Sequence, residues 1–229
     1  MHIYAVNNFE EIVESQIEKM EKSGLYKAAD KIYYGVVLNR EYYINDEKFS
    51  KLYCSLDKEE SEVATINCIN KCFGEEVDNR RVFYVHTKGV TKPYWGPHND
   101  WRTYMEYFIL ERYETCVAEL ERADVVGVNW HFGQGWRGAR PPAAPHFNGN
   151  FWWANLKYLQ KLPELNEETS LYQDFKPGIK CPTRWDAEFW LGRENPTVVE
   201  LWNSRVHHGT RPYPESKYRG KAIHPKVVQ

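Results

Sequence analysis

The chain has 229 residues, with 30 Lys and Arg against 32 Asp and Glu and a formal net charge of −2. That length suits one domain with a real core, and the balanced charge gives no electrostatic ground for a nucleic-acid or membrane-surface partner. No apolar run approaches a membrane span and no signal peptide opens the sequence.

The cysteines, Cys54, Cys68, Cys72, Cys116 and Cys181, are odd in number and lack zinc-ribbon or redox spacing. They read as reduced thiols of a cytoplasmic protein. The wealth of Trp and Tyr suits either an aromatic core or stacking on the C–H faces of sugars.

Residues 2–6 read as a short strand. Asn8 and Glu11 have capping-box spacing, and the helix behind them carries Phe9, Ile12, Val13, Ile17 and Met20 on one face before stopping near Gly24. Residues 31–38 read as a second strand, which makes the opening a βαβ unit. Such units hold ligands at the carboxyl ends of their strands, so Val6 and Asn7 are candidate nucleotide contacts. The bland alternative is that the asparagines only cap the helix.

Residues 41–57 are a polar mixture, and 57–74 read as a helix with Val63, Ile66, Ile69 and Phe73 inward. The next stretch is R-V-F-Y-V-H-T-K-G, residues 81–89. Its apolar run is a buried strand, and His86, Thr87 and Lys88 fall at the carboxyl end. A donor-rich trio there suits an anion: Lys88 offers a compact charge, and His86 a ring donor that could be tuned toward protonation. Taken singly, the alternatives are a core histidine and a solvated lysine.

A loop with Gly96 follows, and Asn99 caps a long amphipathic helix bearing Trp101, Met105, Phe108, Ile109, Cys116 and Leu120. Arg102 sits in its first turn against the helix dipole, which points to a nearby anion. Residues 124–130 read as a strand, and 131–145, rich in Gly, Pro and Arg, as a long loop of functional character.

Residues 146–163 read H-F-N-G-N-F-W-W-A-N-L-K-Y-L-Q-K-L-P. Asn148-Gly149-Asn150 is a turn that lets the backbone approach a ligand closely. Phe151, Trp152 and Trp153 suit a buried strand, and the apolar spacing turns helical from Leu156 until Pro163. Amides and indoles at this bend make a wall for a polar ring compound, with His146, Asn148, Gly149, Asn150, Trp152 and Trp153 as candidate sugar or acceptor contacts.

An acidic segment runs to residue 178, and Pro182-Thr183 starts a helix. Asp186, three residues after Thr183, is either a capping-box acid or a catalytic one. Glu188 shares its arc with Trp185, Phe189 and Leu191. A carboxylate on an apolar face breaks the pattern, and desolvation there suits a general base; the alternative is an ion pair with Arg184. Residues 197–202 read as a last strand. His207 and His208 are adjacent, so one of them at a time could meet a phosphate, and they make no preformed metal cage. Residues 210–229 read as an arm packed on a domain of residues 1–209.

Through F-Y-V-H-T-K-G, the W-R-x-Y-M of the next helix, D-V-V-G-V-N-W and H-F-N-G-N-F-W-W-A, the chain resembles a small group of glycosyltransferase-like proteins of bacteria and large viruses. It is more distantly similar to rhamnan-synthesis glycosyltransferases, which share an H-[ST]-K element before a W-R helix and a G-x-x-F-W element after it. The likeness runs from Ile3 to about His208.

The resemblance implies a single α/β domain of the GT-A, Rossmann-like type, with a mostly parallel central sheet flanked by helices. It implies a hexosyl- or deoxyhexosyltransferase that moves a sugar from a nucleotide-diphosphate donor to a glycan or other hydroxyl acceptor. His86, Thr87, Lys88, Arg102, Val6, Asn7, His207 and His208 would meet the donor, and Glu188 or Asp186 would be the base. Such enzymes usually hold a divalent metal, Mn or Mg, on Asp-x-Asp. No predicted strand here ends in Asp-x-Asp, so Lys88 with His86 is expected to take over part of the metal's task. The alternative function is a non-catalytic carbohydrate-binding protein on the same scaffold.

Overall fold

The computed structural model describes residues 1–69, 72, 79–133, 144–172 and 181–228. The opening βαβ unit is present. Strand β1 (His2–Tyr4) leads to helix α1 (Phe9–Ser23), a short α2 (Leu25–Ala28) and strand β2 (Ile32–Val37). β1 is shorter than expected because Asn7 takes a positive φ of 51° and turns the chain toward α1. Asn8 is the N-cap residue but makes no side-chain cap bond; its amide reaches Glu11 Oε2 at 3.4 Å instead. Helix α1 buries Phe9, Ile12, Val13 and Met20, and Gly24 ends it in the left-handed region.

β2 pairs in parallel with β1 and with β3 (Phe49–Ser55). β3 falls in the stretch whose polar mixture suggested no element. Only Phe49 of this strand is fully buried, so the apolar signal is weak there.

The second half contributes α3 (Val63–Ile69), β4 (Arg81–Tyr84), α4 (Gly96–Glu106), α5 (Tyr113–Glu119), β5 (Val125–Val128), β6 (Trp130–His131) and β7 (His146–Phe147). β8 (Trp152–Asn155), α6 (Leu156–Leu159), α7 (Arg184–Phe189), β9 (Val198–Trp202) and β10 (Lys226–Val228) follow. The expected long helix is broken by a π-helical turn, Tyr107–Glu111, between α4 and α5. The helix expected to run to residue 74 is seen to Ile69, and its far end lies outside the described residues, as does most of the 131–145 loop.

The larger sheet has the order β10-β9-β5-β8-β4. β5 and β9 are parallel, while β8 runs antiparallel to both its neighbours and β10 antiparallel to β9. The expectation of a mostly parallel sheet is therefore corrected to a mixed one. The physical reason is the bend at residues 148–150, which turns the chain back and inserts β8 between β4 and β5.

The two sheets abut where His2 N donates to Val85 O (2.9 Å) and Thr87 N to His2 O (3.1 Å). The stretch after β4 thus lies beside β1, and the H-T-K residues sit at the seam. One core cluster packs α1, α4 and the π turn on one face of the sheet; the other packs α3, α6 and α7 on the opposite face.

The arm adds β10 and buries Tyr218, and Tyr213 OH accepts from Trp202 Nε1 at 3.0 Å. Among the described residues no helix is long and apolar enough to cross a membrane.

Candidate functional site

A cleft of about 860 Å³ opens at the seam between the sheets. His86, Thr87 and Lys88 of the strand tip, Gly149 and Asn150 of the bend, Arg184, Trp185 and Glu188 of α7, and Trp101 of α4 all line it. The strand tip and the asparagine-glycine bend, far apart in sequence, therefore share one cavity. Ser61 and Glu62, just ahead of α3, also line it.

The bend is built to tolerances that only glycine meets. Gly149 has φ of 104°, and a Cβ there would stand 2.5 Å from Met105 Sδ and 3.0 Å from Trp101 Cζ2. Its amide donates to Glu188 Oε1 (3.2 Å), and its carbonyl contacts His86 Nε2 at 3.0 Å. Asn150, also at positive φ (59°), donates from Nδ2 to Glu62 Oε2 at 2.7 Å and accepts from Trp152 Nε1 at 2.9 Å. Asn148 donates its amide to Asn129 O (3.0 Å) and holds the bend from behind.

Lys88 is the cation at the strand tip, and Lys58, Lys92 and Arg184 also line the cleft. Nζ of Lys88 lies 3.8 Å from the centre of the Trp101 ring, and among the described residues it makes no ion pair. Burial lowers its affinity for the proton, and Glu188 and Glu62 pull the other way; the balance leaves the ammonium below the usual lysine range. The indole under Lys88 is backed by His208, stacked at 5.4 Å, which is itself backed by Tyr104 at 5.2 Å.

Two of the carboxylates that line the cleft, Glu62 and Glu188, are shifted in opposite directions. Burial raises Glu62, with Glu188 adding to the rise against the pull of His2 and Lys88. Burial would raise Glu188 as well, but Lys88, His146, the Gly149 amide and Arg184 outweigh it and hold this carboxyl below its ordinary value.

Several sequence expectations need correction. Burial, with Lys88 beside it, pushes His86 down to about 3. The ring is therefore neutral and holds Gly149 rather than an anion's charge. His208 is pushed down to about 4 by burial and is almost wholly enclosed, so it supports Trp101 and meets no phosphate. His207 lies on the surface, its Nδ1 3.1 Å from Thr210 Oγ1, and does not line the cleft.

Arg102 also stays behind the cleft: it donates to Lys88 O at 3.0 Å and Asn99 Oδ1 at 3.1 Å, and its Nε is 3.5 Å from Glu106 Oε1. Asn99 is not the cap: α4 begins at Gly96 behind Trp95, so Arg102 lies past the first turn, and the anion beside it is the protein's own Glu106. Val6 and Asn7 do not reach the cleft; Asn7 Nδ2 donates to Val90 O, and His2 and Tyr4 take their place. Thr87 lines the cleft, but its hydroxyl accepts from Tyr4 N at 2.9 Å.

Trp152 and Trp153 are buried on opposite faces of the sheet, and Trp153 Nε1 donates to Ile109 O at 2.8 Å. They cannot touch a sugar; Trp101 and Trp185 are the indoles at the cleft. His146 is buried, its ring 4.7 Å from that of Phe189. Asp186 is wholly buried: it accepts from Ser170 Oγ, Leu171 N, Thr183 N and Oγ1, and Arg193 Nη2. It is the capping-box acid of α7 and not a base.

Among the described residues no group of three His, Cys, Asp or Glu side chains could hold a metal ion. Glu62 and Glu188 each commit one oxygen to Asn150 and Gly149, and among the described residues no third such ligand stands with them to complete a protein-built metal cage.

The profile of a family described as "Domain of unknown function (DUF8361)" matches residues 4–192. The chain belongs to that family. The matched span contains the strand tip, the bend, Glu62 and α7, so nearly all the residues that line the cleft lie within it. No curated protein and no solved structure matches the chain.

Proposed function

We propose that the cleft transfers a sugar from a nucleotide-diphosphate donor to a hydroxyl acceptor, on a single GT-A-type domain. The observation that carries this reading is Lys88, a half-buried ammonium without an ion pair among the described residues, resting on an indole at the carboxyl end of a strand. A diphosphate leaving group develops charge where such a cation stands. Arg184 of α7 adds a further positive group, and the exposed part of Trp185 offers an apolar surface to a sugar ring. One of the cleft carboxylates takes the acceptor proton. The odd number of cysteines, without zinc or redox spacing, supports a cytoplasmic site of action.

A thermal-shift screen with UDP-, GDP- and dTDP-sugars tests the proposal. A stabilising nucleotide sugar is expected, and it names the base. Stabilisation by glycans alone would turn the reading into that of a carbohydrate-binding protein.

A further inference from the structure

We propose that Glu62 is the catalytic base of the cleft, and that the acceptor hydroxyl donates to its Oε1 beside the His86 ring. The assignment rests on the glycosyl-transfer reading above and names the group that takes the proton.

Glu62 Oε2 is anchored. It accepts from Asn150 Nδ2 at 2.7 Å and from Tyr84 OH at 3.0 Å. That fixes the carboxylate plane and leaves Oε1 facing His86 Nδ1 at 3.8 Å. The His86 ring contacts Gly149 O through Nε2 at 3.0 Å. A carbonyl can only accept, so Nε2 carries the proton and Nδ1 of the neutral ring is bare.

Two bare acceptors at this separation cannot bond to each other. An acceptor hydroxyl supplies the donor that Oε1 lacks: its single proton points to Oε1 at about 2.8 Å, with the His86 ring edge alongside. Of the two, the carboxylate is the stronger base, because burial raises Glu62 and holds His86 near 3. Glu188 is the weaker candidate: its Oε1 takes the Gly149 amide, and Lys88, His146 and Arg184 hold it low. Its charge instead complements Lys88. The charged and titratable groups facing Glu62 are His2, Tyr84, His86, Lys88 and Glu188, and Glu62 sits just ahead of α3.

In the step itself the acceptor O–H bond breaks and its proton passes to Glu62 Oε1. The freed oxygen forms the new bond to the sugar's anomeric carbon. The bond from that carbon to the diphosphate breaks, its electron pair leaves on the phosphate oxygen, and Lys88 meets the charge.

The test uses the nucleotide sugar that stabilises the wild type, with water as acceptor, and follows released sugar against pH. Glu62→Gln keeps an oxygen for Asn150 and Tyr84 and removes the base. Its affinity for the nucleoside diphosphate should stay within about twofold, its rate should fall by roughly 10²–10⁴, and the acid limb of the pH profile should vanish. Tyr84→Phe is the companion variant should Glu62→Gln not fold. It deletes one hydrogen bond to the ionised carboxylate, so the acid limb should move to higher pH while the plateau rate stays.

Glu62→Gln that binds nucleotide and turns over within about threefold of wild type overturns the assignment and leaves glycosyl transfer standing. An unmoved acid limb in Tyr84→Phe does the same. A wild type that binds no nucleotide sugar removes the underlying reading, and the assignment with it.

Discussion

Lys88→Met separates the charge of the strand tip from its packing. Methionine keeps an unbranched apolar stem on Trp101, where the ammonium now lies 3.8 Å from the ring centre, and deletes only the cation. A hydrogen bond to a charged group contributes about 1.5–3 kcal/mol. One such bond to a diphosphate therefore predicts a loss of about 10–150-fold in affinity.

The pH dependence follows from the direction of the Lys88 shift. Burial leaves the ammonium easier to deprotonate than a free lysine, so wild-type affinity should decline as pH rises toward the alkaline range, earlier than an ordinary lysine would allow. The variant should show no such decline. Isothermal titration with a nucleoside diphosphate between pH 6.5 and 9.5 measures both, at roughly these limits of the expected window. Equal affinities within about twofold, or a pH decline that survives the substitution, would refute the role of Lys88 in holding phosphate.

Asp186→Ala should cost about 3–5 kcal/mol, because it strips five donors of their acceptor and leaves Arg193 charged and largely buried. Thermal unfolding should show a drop of roughly 6–20 °C, while nucleotide affinity of the folded fraction stays unchanged. Acid should destabilise the protein through His2 and His86, held near 3, and His208, held near 4, all neutral in the fold chiefly because of burial. Depressed values mean that stability is present above the ordinary histidine range and is lost as pH falls toward the folded values; at pH 5 each group costs roughly 2 kcal/mol, and Tm measured from pH 7 to 5 checks it. Glu106→Gln should weaken nucleoside-diphosphate binding, since it loosens the arginine that holds the Lys88 carbonyl; an unchanged Kd would show that the tip needs no such support.

The legible parts of the fold are those whose periodicity belongs to a single element. Helix α1, strands β2 and β4 and the α4 region have faces that sequence spacing exposes. Strand β3 is hidden because its partly buried residues alternate weakly. Trp152 and Trp153 looked like ligand contacts because adjacent indoles are conspicuous. In a strand they must point to opposite faces, and helices cover both faces here, so both are core. Asp186 was readable from its capping spacing, and the structure takes that alternative.

Glu62 left no signal. At the start of a helix a glutamate is ordinary, and the residue that fixes it, Asn150, lies 88 positions away. The neutrality of His86 is equally invisible, since it depends on burial and on Lys88. What sequence could supply was the pair of segments, and what it could not supply was the protonation state of what they carry.

The polar network behind the strand tip explains why that tip can present a cation at all. Gln16, buried in α1, donates to His86 O at 3.1 Å and to Glu106 Oε1 at 2.9 Å. Glu106, wholly enclosed, also pairs with Lys19 and Arg102, and Arg102 donates to Lys88 O at 3.0 Å. Main-chain carbonyls of His86 and Lys88 are thus held from the helix side. Their side chains turn into the cleft.

A buried ion network of this kind is weak support for stability, because desolvation offsets most of its attraction. Apolar side chains would fill the same space at no electrostatic cost. The network makes physical sense if what it secures is position: a tip whose backbone cannot shift keeps Lys88 and His86 registered against Gly149 and Glu62. The same logic applies to the stack beneath Lys88. His208 and Tyr104 fix the plane of Trp101, and the plane of Trp101 fixes the height of the ammonium above it.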